Sequence, residues 1–369
     1  MPRHPQYDAT DRLAILLHGG ITGIHGKTGL ALLRFAPERC VVVIDRQTAG
    51  GDLRELTGIP MDRPIPIVAT ASEAMAYGPQ TLALGLAALG GKLPEDWIPD
   101  LQASLQGGLN ILNGLHTSLG SDSRLAPHVR EGHWIWDIRK EPAGLSSGMG
   151  LARLLGAKRV LFVGTDMSIG KMSAAIAFHR AAVARGVRSK FMATGQTGVM
   201  LEGDGIPLDA IRVDFASGAV QQELIACAQD RDVVFIEGQG SLLNPASTAT
   251  LPLLRGSQPS HLVLVHRAQM HHLRDFKWVK IPPLRDVVAM YESIASAGGA
   301  LAPVKVVCIA INTHGLSDAE ARYELERIEA ETGLPTQDVV RSGADRLLSS
   351  CGLEGGKLLG LRRLFAEWR

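Results

Sequence analysis

The sequence lacks several features that define common classes of protein. It has only four cysteines, with no Cys-x-x-Cys pair, and Cys40, Cys227, Cys308 and Cys351 lie in or near apolar segments. This pattern predicts buried, reduced thiols and a cytoplasmic protein. Long basic runs are absent, and 38 Lys and Arg residues balance 37 Asp and Glu residues, so nucleic-acid binding has no electrostatic support. The first eleven residues are polar and no apolar run reaches the length of a bilayer, so we expect neither a secretory signal nor a membrane span.

Length and composition indicate a two-domain α/β enzyme. The 369 residues exceed the usual size of a single hydrophobic core. Hydrophobic residues make up 46% of the chain and charged residues 20%, which is ordinary for a soluble enzyme. Proline, glycine and serine interrupt the periodic pattern between Glu141 and Gly150. We therefore predict one domain over residues 1–145 and a second over residues 146–369.

Apolar runs alternate with helical segments in both halves of the chain. In the first half, strands are predicted at 13–17, 40–44, 65–69, 81–86 and 109–112, with helices over 28–34 and 101–106. In the second half, strands are predicted at 160–163, 189–193, 233–236, 261–265 and 304–311, with helices over 172–185, 317–333 and 344–368. Strands that are apolar throughout are typical of parallel sheets covered on both faces. The predicted fold is an N-terminal Rossmann-like domain followed by a P-loop NTPase-like parallel-sheet domain.

A glycine loop follows the strand at 160–163 and ends in Gly170-Lys171 at the start of a helix. Such a loop directs backbone N–H groups and a lysine at a phosphate, although it could also be a simple tight turn. Five residues separate Gly164 from Gly170, one more than in a Walker A loop, and Met172 replaces the usual Ser or Thr. Ser173 comes one place late, which rotates its hydroxyl by roughly 100° and weakens a role in binding magnesium. The predicted phosphate-binding residues are Gly164, Thr165, Asp166, Ser168, Ile169, Gly170, Lys171, Met172 and Ser173, together with Asn312.

Polar residues follow other strands of the second half. Ligands of an open parallel sheet bind beyond the carboxyl ends of its strands. That rule predicts that Glu237, Gln196, Gln239 and Asn312 gather at one edge near the loop, with Gln196 and Gln239 contacting the substrate. Histidines at 261, 266, 271 and 272 have no metal-ligand spacing, so we predict no metal site.

Two resemblances sharpen this interpretation. The loop Gly164-Thr-Asp…Gly170-Lys171 and the strand that ends in Glu237-Gly are similar to dethiobiotin synthetase, which implies that Asn312 lies near a nucleoside base. A resemblance over almost the whole chain is to a bacterial family long described as being of unknown function, which includes D-glutamate N-acetyltransferase. It rests on Gly164-Thr-Asp, Gly170-Lys-Met, Ala193-Thr-Gly-Gln-Thr-Gly, Asp214-Phe, Glu237-Gly-Gln-Gly-Ser, Asn244-Pro, Gly256-Ser-Gln-Pro, Gly90-Gly, Gly114-Leu-His and Asp137-Ile-Arg-Lys.

The second resemblance implies acetyl transfer from acetyl-CoA to the amine of D-glutamate. The phosphate loop would then hold CoA, which Met172 fits better than it fits magnesium-dependent cleavage of ATP. A small-molecule substrate and a homo-oligomer are the expected partners. The alternatives are an ATP-dependent ligase or kinase that uses magnesium, and a nucleotide-binding regulatory protein without turnover.

Three further residues are candidates for the chemistry. Glu237 is the first candidate for the base that deprotonates the amine, with a loop-fixing carboxylate as the alternative. His116 is a second candidate base or a substrate ligand, unless it is a structural histidine. Arg139 could clamp a substrate carboxylate, or pair on the surface with Asp137 or Glu141.

Overall fold

A computed structural model describes residues 4, 6–23, 25–86 and 92–353. The Gly90-Gly91 motif and the end of the helix predicted over 344–368 lie outside these residues. The described chain forms two compact units. We call residues 4–142 together with 195–210 the Rossmann unit, and residues 143–194 together with 211–353 the P-loop unit.

The Rossmann unit is built on a six-stranded parallel sheet in the order β3-β2-β1-β4-β5-β6. Its strands are β1 (Leu13–Leu16), β2 (Cys40–Ile44), β3 (Ile67–Val68), β4 (Thr81–Leu84), β5 (Asn110–Asn113) and β6 (Ile135–Asp137). Its helices are α1 (Lys27–Phe35), α2 (Leu53–Thr57), α3 (Ala71–Ala74), α4 (Ile98–Gln106) and α6 (Gln196–Glu202). This is the strand order of dinucleotide-binding folds, so the predicted Rossmann-like architecture is confirmed.

The P-loop unit contains a second six-stranded parallel sheet, in the order β12-β11-β10-β7-β9-β8. Its strands are β7 (Lys158–Gly164), β8 (Ser189–Met192), β9 (Val233–Ile236), β10 (His261–Arg267), β11 (Val306–Asn312) and β12 (Thr336–Gln337). Its helices are α5 (Lys171–Ala184), α7 (Val213–Cys227), α8 (Thr250–Ser257), α9 (Leu284–Ala295), α10 (Asp318–Thr332), α11 (Val339–Ser342) and α12 (Asp345–Leu348). Since β7 lies between β10 and β9, the loop that follows it emerges in the middle of the sheet edge.

Aromatic packing fixes the helix that follows the phosphate loop. The rings of Phe162 on β7 and Phe178 on α5 pack edge to face with centroids 5.2 Å apart, and Phe235 on β9 completes the cluster at 5.8 Å from Phe178. All three side chains are fully buried. Edge-to-face packing adds to the burial of apolar area, so α5 is held with its N-terminus at the end of β7.

One segment of the second half departs from the simple division at residue 145. The chain leaves the P-loop unit after Thr194, and residues 195–210 belong to the Rossmann unit. There α6 buries Val199 and Met200, and the Tyr7 hydroxyl donates a 2.6 Å hydrogen bond to the carbonyl of Met200. Gln196, which the sequence predicts at the sheet edge of the second half, is the first residue of α6 and belongs to the Rossmann unit.

All four cysteines are free and buried, as the sequence predicts. Within the described ranges, every helix is too short or too polar to cross a bilayer.

Candidate active site

Lys171 is the first residue of α5 and lies beneath the phosphate loop. Its side chain is only 6% exposed, and its Nζ donates a 2.7 Å hydrogen bond to the carbonyl of Asp166. Burial lowers the pKa of Lys171 to about 8, against the opposing effect of the nearby Asp166 and Glu237 carboxylates. Gly170 has a φ of 116° and Ser168 a φ of 55°, so the loop turns through left-handed backbone before the helix begins. Met172 and Ser173 follow in the first helical turn, both partly exposed.

The carboxylate of Asp166 is engaged within the protein. It accepts hydrogen bonds from Met167 N at 2.7 Å, Asn244 Nδ2 at 2.8 Å and Arg274 N at 2.9 Å. A carboxylate with three donors holds its surroundings in one geometry. Asp166 therefore shapes the loop, and a phosphate would meet backbone N–H groups and Lys171.

Further contacts hold the loop in place: they involve Thr165 and Ile169 in the loop and Asn312 at the end of β11. The Thr165 hydroxyl lies 2.9 Å from Nδ1 of His266, and burial lowers the pKa of His266 to about 4, so that ring is neutral at pH 7. Ile169 is buried, and its carbonyl accepts a 3.1 Å hydrogen bond from Asn312 Nδ2. Asn312 thus connects the end of β11 to the phosphate loop.

Glu237 lies at the end of β9, buried beside Lys171. Its Oε2 accepts a 2.8 Å hydrogen bond from the backbone N–H of Thr194, whose hydroxyl donates to the carbonyl of Glu237 at 2.8 Å. The next residue must be small, since a Cβ on Gly238 would lie 1.6 Å from the carbonyl oxygen of Phe162. Gln239 follows, partly exposed, as part of the same strand end. The structure therefore places Glu237 and Gln239 at the edge that carries the phosphate loop.

Tyr291, which the sequence does not identify as a functional residue, stabilises the sheet edge that carries the phosphate loop. It is fully buried on α9, and its hydroxyl donates a 2.7 Å hydrogen bond to the carbonyl of Gly164 while accepting one of 3.1 Å from Leu242 N. Burial raises the pKa of Tyr291, so its hydroxyl remains a donor. A single tyrosine in an amphipathic helix carries no sequence signal for such a role.

The Rossmann unit brings three predicted residues together in a second cluster, which we call the arginine cluster: His116, Arg139, Gln196 and Asp209. Arg139 donates to the carbonyl of Gly114 at 2.6 Å and to Gln196 Oε1 at 3.1 Å, and it forms a 2.7 Å ion pair with Asp209. Its side chain is 12% exposed, and its buried Nε has no partner among the described residues. His116 is half exposed, with its Nε2 3.9 Å from the same carboxylate oxygen of Asp209.

A clamp at the ends of β5 and β6 positions His116. Asn113 donates from its side chain to the carbonyl of Thr117 and to Asp137, both at 2.7 Å, and its Oδ1 accepts from Leu115 N at 2.9 Å. Asp137 also accepts from the N–H groups of Leu119 and Gly120, at 2.9 and 3.0 Å. The loop that carries His116 is therefore ordered by two buried or half-buried polar side chains.

Asp209, the acidic partner of Arg139, was also missed. It lies on a short 3-10 turn, Leu208–Ala210, far along the chain from Arg139. Asn244 appeared in the sequence only as part of a motif, without a role. Within the ranges that the structure describes, no cluster of His, Cys, Asp or Glu side chains could hold a metal ion.

The two parallel sheets define a two-domain α/β protein, in which a Rossmann-like domain is joined to a P-loop domain. Residues 46–141 match the family domain described as "Domain of unknown function (DUF1611_N) Rossmann-like domain". Residues 146–348 match the "Domain of unknown function (DUF1611_C) P-loop domain". The chain belongs to the DUF1611 family, and both the predicted fold and the family resemblance are confirmed.

Relatives extend the comparison. The chain is 37% identical over 286 residues to a D-glutamate N-acetyltransferase of Tritonibacter scottomollicae, which covers 76% of this chain and 84% of the relative. It is 34% identical over 280 residues to a D-glutamate N-acetyltransferase of a Pseudoalteromonas species, covering 75% of this chain and 83% of the relative. Its structure is similar to the crystal structure of a DUF1611 family protein from Anabaena variabilis, with a TM-score of 0.90 and 54% identity over 93% of this chain and 100% of the other.

Proposed function

We propose that this chain transfers an acetyl group from acetyl-CoA to the amine of an acidic amino acid, with D-glutamate as the substrate. The observation that carries the proposal is its similarity, over three quarters of its length, to two relatives named D-glutamate N-acetyltransferase. The reaction takes place in the cytoplasm, where the four buried thiols stay reduced.

The phosphate loop is the proposed site for the phosphates of acetyl-CoA. Lys171 supplies a positive charge beneath the loop, and backbone N–H groups at the start of α5 supply donors. Three donors already occupy Asp166, and Met172 offers no hydroxyl to a magnesium ion. These features favour binding of a phosphate ester without its cleavage.

The arginine cluster is the proposed site for the amino acid. The ion pair between Arg139 and Asp209 indicates that this guanidinium accepts a carboxylate partner, and its buried Nε–H remains to be matched by an oxygen. A substrate carboxylate on Arg139 would place the substrate in the neighbourhood of His116, since both side chains share Asp209. Gln196 keeps the guanidinium oriented.

His116 is the proposed base, and its position beside the carboxylate site is the reason. Nε2 of His116 takes a proton from the substrate ammonium, and the neutral amine then attacks the thioester carbonyl. The C–N bond forms and the C–S bond breaks; the imidazolium passes its proton to the departing CoA thiolate, and the nitrogen releases its second proton to water as the amide forms. Glu237 is the alternative base, but its contacts with Thr194 and Lys171 suit a carboxylate that fixes the loop and balances its charge.

Turnover by the purified full-length chain tests the proposal. Acetyl-CoA and D-glutamate are supplied together, free CoA thiol is followed with a thiol-reactive dye, and the product is identified by mass spectrometry. We expect one N-acetyl-D-glutamate for each CoA released, with slower turnover of L-glutamate and none that requires ATP. Thermal unfolding gives an independent reading, because acetyl-CoA should raise the Tm more than Mg-ATP does. Stabilisation by Mg-ATP alone, without acetyl transfer, would favour the ligase or kinase.

A further inference from the structure

A short hairpin of the P-loop unit, residues 271–281, follows β10 and has no role in the function described so far. Its two arms are joined by an antiparallel bridge between His272 and Lys280, and by a 3.0 Å hydrogen bond from Leu273 N to the carbonyl of Val279. Leu273 and Ile281 are buried and anchor its base. We call this element the basic hairpin, and its tip, residues 274–278, faces solvent at most positions.

The basic hairpin is tied to the phosphate loop. The backbone N–H of Arg274 donates a 2.9 Å hydrogen bond to the carboxylate of Asp166, inside that loop. In addition, β10 pairs in parallel with β7, so both the hairpin and the loop leave the sheet at the same carboxyl edge. A ligand whose diphosphate lies on the loop therefore has the hairpin beside it.

The charge and the ring chemistry of the hairpin are unusual for this chain. Counting Lys, Arg, Asp and Glu, residues 271–281 contain three basic side chains and one acidic side chain, a formal charge of +2, in a protein whose net charge is +1. Arg274, Lys277 and Lys280 are all exposed, and Arg274 pairs only locally, with Asp275 at 2.9 Å. Trp278 is 77% exposed and packs edge to face with Phe276 at 6.3 Å. An indole held in solvent beside several cations offers a flat surface for a base and charge for a phosphate.

We propose that the basic hairpin binds the adenosine 3′-phosphate end of CoA, with Trp278 stacked on the adenine and Lys277 and Arg274 on the 3′-phosphate. This inference rests on the proposed function, because it assumes that the phosphate loop holds the CoA diphosphate. Trp278 could stack on the adenine of either CoA or ATP, but the contact with the 3′-phosphate is one that ATP cannot make, since ATP carries no 3′-phosphate. The hairpin would thereby select CoA over nucleoside triphosphates that the loop alone could bind.

Isothermal titration of the full-length chain with CoA and with 3′-dephospho-CoA tests the inference. Wild-type protein should bind CoA about five- to tenfold more tightly than dephospho-CoA. Lys277→Ala should lower that ratio by weakening CoA alone, with Arg274 left to hold the 3′-phosphate. The matched control is Arg231→Ala, which should leave the ratio unchanged. Arg231 is an exposed arginine just before β9, at the amino end of the same sheet. Trp278→Ala should weaken both ligands alike, and Trp278→Phe should retain most of the affinity.

Other outcomes separate the two proposals. Equal affinity of the wild type for CoA and dephospho-CoA, or an unchanged ratio in Lys277→Ala, would overturn the hairpin assignment even if acetyl transfer proceeds normally. A Trp278→Ala variant that changes the molecular mass in solution but neither dissociation constant would identify the tip as a contact between copies instead. Failure of the wild type to bind either ligand would overturn the proposed function together with the hairpin assignment.

Discussion

The phosphate loop and the arginine cluster are built in different ways. In the phosphate loop, the side chains of Thr165 and Asp166 are bonded to neighbouring elements, Asn312 at the end of β11 donates to the carbonyl of Ile169, and Lys171 is buried beneath the loop. In the arginine cluster, charged side chains face one another at a half-exposed surface, with His116 46% exposed and Asp209 43% exposed. A loop held by internal bonds is preorganised for a ligand of fixed shape, such as a phosphate. A cluster of ion pairs at the surface can exchange one carboxylate for another.

If acetyl-CoA binds at the phosphate loop and the amino acid at the arginine cluster, a substitution in one region should affect only the substrate that binds there.

His116→Gln should lower kcat on the order of a hundredfold or more, because the amide cannot accept the proton from the ammonium. Acetyl-CoA affinity should be unchanged. Steady-state kinetics of His116→Gln beside Glu237→Gln check this. A large fall in kcat for Glu237→Gln with little change for His116→Gln would reverse the assignment of the base.

Lys171→Ala should weaken the binding of acetyl-CoA by about 1.5–3 kcal/mol, because one charge-assisted contact to phosphate is lost. The fold should survive, since the ammonium is held there by a single carbonyl of its own loop. Titration calorimetry measures the affinity and circular dichroism the fold. Unchanged affinity for both acetyl-CoA and ATP would show that Lys171 and its loop do not bind the phosphates of either ligand.

Arg139→Lys should raise the KM for D-glutamate about tenfold or more and leave acetyl-CoA affinity unchanged. A lysine keeps the charge but cannot donate to Gly114, Gln196 and Asp209 in the geometry of a guanidinium. Initial rates at saturating acetyl-CoA give the KM. If it equals that of the wild type, Arg139 has only a structural role in its unit.

Acetyl-CoA affinity should fall as the pH rises above about 8. Burial lowers the pKa of Lys171 to about 8, so the free protein loses this positive charge above that pH, whereas a bound phosphate would hold the proton. The loss should reach about tenfold for each pH unit until the pKa of the complex is passed. Lys171→Arg, which stays charged, is the control, and its affinity should show no such fall.

Tyr291→Phe should lower the free energy of unfolding by about 1–2 kcal/mol, because the carbonyl of Gly164 and the N–H of Leu242 both lose a buried partner. Chemical denaturation gives this value. The effect on kcat should be small, since Tyr291 contacts the start of the loop at the carbonyl of Gly164. A variant as stable as the wild type would mean that the loop needs no such support.

The two regions also differ in how far the sequence could predict them. The phosphate loop is one contiguous stretch after an apolar strand, and local patterns of this kind can be recognised directly. The arginine cluster draws on three segments far apart in the chain, and the ion pair between Arg139 and Asp209 depends on where α6 and the following turn pack. The sequence predicts Arg139 and His116 as candidate residues of the first half, but it does not predict Asp209, which lies next to both.

The domain organisation shows the same limit. Five strands of each sheet could be predicted from apolar runs, but β6 and β12, with three and two residues, were too short to stand out. Residues 195–210 follow the order of the second half while packing in the Rossmann unit. A fragment that begins near residue 150 would therefore carry Val199 and Met200 without their packing partners. Tertiary packing, which no local sequence pattern encodes, determines that residues 195–210 belong to the Rossmann unit.

We propose that the P-loop unit binds acetyl-CoA and that the Rossmann unit binds the acidic amino acid. Initial rates of N-acetyl-D-glutamate formation, measured over a matrix of both substrates for wild type, Lys171→Ala and Arg139→Lys, test this division of substrates. We predict that Lys171→Ala raises only the Michaelis constant for acetyl-CoA, and that Arg139→Lys raises only that for D-glutamate. A rise in the acetyl-CoA constant of Arg139→Lys, or in the D-glutamate constant of Lys171→Ala, would contradict the division of substrates between the two units.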